Sequence, residues 1–165
     1  MNGSQNEPYH QVCLIKAALC EQGCKTRGMP YRTLEVQKES SLELLAVAVI
    51  DAFGFDFTHA FGFYDNLQHW TRSVERFEVF KDMEDDGLVQ MYPYEHGKSV
   101  RNTEVSEVFD IVGKKMLFLY DYGDEWHFIL QLKRFVTYDD DTEYPALVES
   151  VGEAPLQYEI LEGEF

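Results

Sequence analysis

The sequence predicts an α+β domain, and three observations carry that prediction. Runs rich in β-branched and aromatic residues stand at 9–19, 31–36 and 115–135. One long apolar run at 42–53, with a capping signature before it and a glycine after it, has the length of a helix and not of a strand. Turn-rich connections at 22–30 and 122–125 stand between apolar runs as hairpin turns do.

The first strand is expected over 9–19, where β-branched and aliphatic residues dominate. Gly23, Gly28 and Pro30 mark a connection over 22–30, and 31–36 alternates Tyr31, Thr33 and Glu35 against Arg32, Leu34 and Val36, so the two strands form a hairpin. Ser40 stands three residues before Glu43, a capping-box spacing in which each side chain satisfies the other's orphan backbone N–H. The following run LELLAVAVIDAF is apolar on nearly every side. Such a helix is buried on most faces and is expected to pack centrally against the sheet, ended by Gly54 as the left-handed stop. Leu45→Asp should therefore unfold the domain. A short strand follows at 60–64; the acidic run Asp82, Glu84, Asp85 and Asp86 reads as a solvated loop, and the stretch 66–102 has no periodicity that assigns it. Thr103 is placed to cap a short helix carrying Val105, Val108 and Phe109.

The strongest β signal is 115–135. Two apolar runs flank Tyr122-Gly123-Asp124-Glu125, and a two-residue type II′ turn at Gly123-Asp124 would pair Asp121 with Trp126, Tyr120 with His127 and Leu119 with Phe128. That register puts Leu117, Leu119, Asp121, Trp126, Phe128, Leu130 and Leu132 on the core face, and Phe118, Tyr120, Tyr122, His127, Ile129 and Gln131 on the other. An acidic loop at 139–143 and a short apolar run at 146–151 complete the chain, with 1–8 and 159–165 expected to be flexible ends of a single domain over 1–165.

The 14 Lys and Arg against 30 Asp and Glu give a net charge of −16. That field opposes nonspecific binding to phosphate backbones and anionic lipid, and the basic candidates Arg72, Arg76 and Lys81 are diluted by Glu75, Glu78 and Asp82. The polar N-terminus has no signal-peptide pattern, and the most apolar run is interrupted by Glu43, Asp51 and Asp56, so no membrane span is expected. Three cysteines, Cys13, Cys20 and Cys24, make no disulfide framework and point to a cytoplasmic setting; Cys20 and Cys24 lack the second ligand pair of a zinc site.

Four stretches together resemble one known family. They are Met29-Pro30-Tyr31-Arg32, Ala52-Phe53-Gly54-Phe55-Asp56-Phe57-Thr58-His59, Tyr120-Asp121-Tyr122-Gly123-Asp124-Glu125-Trp126 and Gly152-Glu153-Ala154-Pro155-Leu156-Gln157-Tyr158. In order and spacing the chain resembles the plasmid pRiA4b ORF-3-like family from about residue 9 to about residue 158, fading over 67–102. The resemblance implies a bent antiparallel sheet packed on a buried central helix with additional short helices, and a setting among passenger proteins of mobile elements. It implies no settled activity. Family members commonly carry Trp at the positions of Tyr31 and Phe55, His at that of Ala46, and an acidic residue followed by His where this chain has His127-Phe128.

One cluster stands out as a candidate site. Asp121, Tyr122, Asp124, Trp126 and His127 gather around one turn, and Phe57 and His59 follow the helix. Asp121, Asp124, His59 and His127 are the candidate ligands if a divalent metal is held, and a metal could activate water for a hydrolase-like reaction. The alternative is structural: Asp121 and Asp124 cap turn N–H groups while Trp126 plugs the sheet edge. No HExxH motif, nucleophile elbow or phosphate loop is present, no catalytic residue is assigned and no cofactor is expected. The favoured expectation is a non-catalytic binding or accessory module that takes a protein or small ligand in an aromatic-lined groove; a nucleic-acid-associated role ranks third.

Overall fold

The computed structural model describes residues 11–21, 25–88 and 97–158. The ends 1–8 and 159–165, together with Cys24, lie outside the described residues. Seven strands, β1 (Gln11–Cys20), β2 (Tyr31–Gln37), β3 (Phe61–Tyr64), β4 (Arg76–Glu78), β5 (Lys115–Tyr120), β6 (Trp126–Thr137) and β7 (Ala146–Val151), are joined by α1 (Leu42–Ala52), α2 (Val79–Asp85) and α3 (Val105–Val108). The strands form one sheet in the order β4-β3-β5-β6-β1-β2-β7. Every strand pairing in it is antiparallel, which makes the architecture α+β.

The helix α1 starts one residue later than its sequence signature suggests. Ser41, not Ser40, is the N-cap, and its Oγ accepts the Leu44 N–H at 3.1 Å. With Ser41 as cap, Glu43 falls at the second helical position and Leu44 at the third, so no capping box forms, and the Glu43 carboxylate takes Arg101 Nε at 3.0 Å. The C-terminus closes as expected: Gly54, at φ 72°, donates to Asp51 O, and Phe55 donates to Ile50 O, the two bonds of a Schellman motif. Leu45, Ala46, Val49 and Ile50 are fully buried in the core that also holds Ile15, Leu34, Phe63, Phe118 and Phe128, while Leu44 and Val47 stay exposed.

The β5–β6 hairpin departs from its expected register. Tyr120 pairs with Trp126, Leu119 with His127 and Phe118 with Phe128, one residue away from the type II′ arrangement. The strands are joined by five residues, 121–125, closed by Glu125 N–H donating to Asp121 O at 2.6 Å. Both Asp121 (φ 64°) and Glu125 (φ 52°) occupy the left-handed region. A slip of one residue inverts a strand's faces, so the β6 expectation holds and the β5 one reverses. Met116, Phe118 and Tyr120 enter the main core with Trp126, Phe128 and Leu130. Leu117 and Leu119 lie on the opposite face with Tyr64, Ile129 and Tyr122.

Two further expectations are corrected. The acidic run is not a solvated loop: it lies in α2 and the turn after it, and Asp82 is buried, accepting from the Ser99 hydroxyl and, at 3.0 Å, from Val100 N–H. The cap of α3 is Glu104 in a capping box with Glu107, whereas Thr103 turns back to donate to Ser99 O. No described helix is long and apolar enough to cross a membrane.

Candidate functional site

Arg32 sits on the inward parity of β2, beside Leu34 and Val36, where a charge needs partners on all sides. Its Nε donates to Ala52 O at the end of α1 (3.1 Å), and one terminal nitrogen reaches Tyr31 O (2.9 Å), Val151 O (3.1 Å) and Gly152 O (3.0 Å). The guanidinium also lies 4.7 Å from the Phe53 ring centroid. A cation on the last carbonyls of a helix is favourably placed in the helix field, and this one ties β2, α1 and the strand end of β7 together.

Just past that knot, the loop 56–60 keeps Asp56, Phe57 and Thr58 exposed and His59 and Ala60 half-buried, and is held in its backbone. Tyr120 points out of β5 on the core side, and its phenol oxygen accepts N–H bonds from Thr58 (2.8 Å) and His59 (3.2 Å) while its proton goes to Asp56 O. Gln157 grips the same residue from the other side: Asp56 N–H donates to its Oε1 at 2.7 Å, and its Nε2 donates to Asp56 O at 3.2 Å. Asp121 N–H closes the far end on Ala60 O at 2.9 Å. The result is a fixed rim on which Phe57 (38% exposed) stacks at 20° over Tyr120, 5.8 Å between centroids.

His59 bridges two elements of that rim. Its Nε2 is 3.2 Å from the Tyr158 hydroxyl and 3.6 Å from Asp121 Oδ2. Asp121 is 8% exposed, and its Oδ1 accepts N–H bonds from Gly123 (3.0 Å) and Asp124 (3.3 Å). The carboxylate is thus the cap of the turn. Asp124 does not share that role through its side chain; it receives the cap through its own N–H. Trp126 packs on Phe55 at 4.8 Å and belongs to the rim of the core.

The remaining candidates lie across the sheet. Tyr122 crosses to the opposite face, where its hydroxyl meets that of Tyr64 at 2.7 Å, and Tyr64 donates to Glu78 at 2.6 Å. Gly62 is required there, since a Cβ would stand 2.7 Å from the Tyr122 hydroxyl. Burial first, then the neighbouring hydroxyl and the Glu78 carboxylate, drives the Tyr64 phenol well above its ordinary range, and burial does the same to Tyr122. His127 Nε2 lies 3.5 Å from Glu125 Oε1 on this side, and Glu125 accepts from Trp70 Nε1. His59 and His127 are therefore separated by the sheet, and among the described residues no group of three His, Cys, Asp or Glu side chains is arranged to hold a metal ion.

These contacts join all four sequence stretches: Arg32, the loop 56–60, Tyr120 with Asp121, and 152–158. The sequence profile described as plasmid pRiA4b ORF-3-like protein matches residues 25–157. The chain belongs to that family. No curated protein matches it. Among solved structures, it is similar to a protein of unknown function, MM3350 from Methanosarcina mazei Go1, at 15% identity and a TM-score of 0.66, over 89% of this chain and 72% of that one. This likeness is one of fold. Within the pRiA4b ORF-3-like frame, the positions where the resemblance expects histidines are Ala46 and Phe128 here, and both are fully buried in the apolar core. Phe55, where Trp is common, fills the space against Trp126 and Phe53.

Phe57, His59 and Asp121 are legible in the sequence, whereas Tyr120, Gln157 and Tyr158 as their supports are not; Arg32, expected as a donor to Asp121, instead bonds the Ala52, Tyr31, Val151 and Gly152 carbonyls. The signal for Arg32 was its parity with Leu34 and Val36 in an alternating strand. Tyr120 was hidden by the slipped register.

Proposed function

We propose that this protein is a non-catalytic binding module, a single domain whose working surface is the rim of Phe57, His59, Tyr158 and Asp121. The observation that carries this reading is the fixed loop 56–60: Phe57 stays exposed and His59 half-exposed while Tyr120 and Gln157 bond the loop's backbone. A surface held in one conformation before a ligand arrives loses less entropy on binding, and exposed rings on a rigid support provide contact area at low cost. The ligand is a protein segment or small molecule with apolar character, held against rings whose margins are acidic. The rest of the fold serves as its frame, read as a bent sheet packed on α1 as central helix. The odd cysteine number, without a pairing framework, supports a reducing, cytoplasmic setting.

The non-catalytic reading is further supported by the separation of His59 from His127 and by the apolar residues at Ala46 and Phe128. Nuclear magnetic resonance tests it, using a chemically diverse set of short peptides and small molecules against the isotope-labelled chain. Ligands that shift the amide signals of Phe57, His59 and Tyr158, and that lose the effect in Phe57→Ala, are expected. Ligands that map elsewhere would contradict it, as would a stoichiometric metal retained by the purified protein and lost in both His59→Ala and Asp121→Asn.

A further inference from the structure

The rim is assembled from stretches of sequence that carry no Lys or Arg; the buried Arg32, held on the Ala52, Val151 and Gly152 carbonyls, is a cation from outside them. The chain's 14 Lys and Arg residues all fall outside 39–71, 116–132 and 135–165, the three longest stretches without one. The loop 56–60 comes from the first, Tyr120 and Asp121 from the second, Gln157 and Tyr158 from the third, and the contacts above bring all three to one place. Asp56, exposed, directly precedes Phe57 and is bonded through its backbone to Gln157, the neighbour of Tyr158, and the exposed Asp124 lies in the turn that Asp121 caps. Phe57 and Tyr158 are 38% and 48% exposed, and the apolar Leu156, 68% exposed, stands two residues before Tyr158.

Resting on the reading of this rim as a binding surface, we propose that it takes a basic peptide segment of a partner protein, with an Arg or Lys side chain lying over the exposed rings of Phe57 and Tyr158. An aromatic face attracts a cation through its quadrupole, and Arg does this more often than Lys because its flat guanidinium stacks on the ring. Carboxylates around the rings steer the cation in and disfavour acidic competitors. The pinned backbone suits an extended segment whose own chain becomes ordered on binding, since only one partner then loses conformational freedom. Net charge alone would attract any polycation; the rings and their rigid support are what select a peptide side chain.

The experiment titrates the labelled full chain, at about 0.15 M salt, with a capped hexapeptide alternating Arg and Gly, the same peptide with Gln for Arg, and spermidine. The Arg peptide is expected to shift the signals of Phe57, His59 and Tyr158 and to bind roughly tenfold more tightly than the Gln peptide. Phe57→Ala and Asp56→Asn, which keep the backbone bonds of the loop, should each weaken it severalfold while the protein melts as a folded domain. Equal binding of both peptides at the rim would overturn the basic-segment proposal and leave the binding surface standing. Spermidine acting as strongly as the Arg peptide would overturn the proposal in favour of bulk charge. Binding of the Arg peptide away from the rim, or no binding, would overturn it as well, and in that case a rim also silent to the diverse set would remove the underlying reading.

Discussion

The phenol oxygen of Tyr120 lies 2.8 Å from the amide nitrogen of Thr58 and accepts its proton, while its own hydrogen is given to the carbonyl of Asp56. One hydroxyl therefore uses both its donor and its acceptor capacity to fold a surface loop onto the sheet. Tyr120→Phe keeps the ring that stacks under Phe57 and removes only the oxygen. The expected loss is about 1–3 kcal/mol of unfolding free energy, because partly sheltered backbone groups are left without a partner. Urea melts of the two proteins measure it, and a shift within error of zero would mean that water replaces the hydroxyl.

Arg32 is replaceable by neither Lys nor a neutral residue. Lysine keeps the charge but has one nitrogen where the guanidinium spreads its donors over the Ala52, Tyr31, Val151 and Gly152 carbonyls. Arg32→Lys is expected to cost about 1–3 kcal/mol in a chemical melt, and Arg32→Met, which keeps the length without donors, more. Equal stability of Lys and parent would show that a point charge at the helix end is all the site needs.

Asp121 combines a left-handed backbone with a side-chain cap, and the two parts separate by substitution. Asn tolerates φ 64° and still offers an oxygen to the Gly123 and Asp124 N–H groups; Ala does neither well. Both variants should melt below the parent, with Asp121→Ala lower by about 2–3 kcal/mol from lost cap and strained backbone together. Thermal melts in parallel decide it. An alanine variant as stable as the asparagine one would show that neither the cap nor the left-handed backbone carries stability here.

That same residue explains what was legible in the sequence and what was not. Its burial and its need for turn N–H partners followed from a carboxylate next to an apolar stripe. Its position did not, because the left-handed conformation was assigned to Gly123, the residue with no Cβ penalty, whereas Asp121 and Glu125 adopt it. The inward residues of β6 and the Gly54 stop of α1 were readable, since each rests on local periodicity or a local bond. Arg32, Tyr120 and Gln157 were not, since their partners lie far along the chain: Gln157 is bonded to Asp56 and Arg32 to Gly152. Long-range backbone partners leave no local pattern. The α2 segment was missed for the same reason: Asp82 is an acid whose partners, Ser99 and Val100, arrive from a later stretch.

Alkaline pH should destabilise the protein through groups that burial keeps protonated. Burial lifts the Cys13 thiol from 9.0 to about 11, and burial, with the facing hydroxyl and Glu78, raises Tyr64; burial raises Tyr122 as well. Each folded value lies above the unfolded one, so the folded chain holds protons that the unfolded chain has released. The contribution is complete below the unfolded values, 9 for the thiol and 10 for the phenols, and is lost as pH rises through them toward the folded values. The urea midpoint should fall steadily above pH 9, less steeply in Tyr64→Phe. A midpoint flat to pH 11 would contradict the buried, protonated state of these groups.

The central claim is that the rim 56–60 is preformed, and hydrogen exchange of its backbone amides in the ligand-free protein tests it most directly. Thr58 and His59 stand at the surface, where an unbonded amide exchanges at the rate of an open chain. Bonded to Tyr120, both are predicted to be protected, with exchange slowed by a factor on the order of ten or more, and with that protection lost in Tyr120→Phe. Exchange of the Thr58 amide at the open-chain rate in the parent protein would mean that the rim is not held before its ligand arrives.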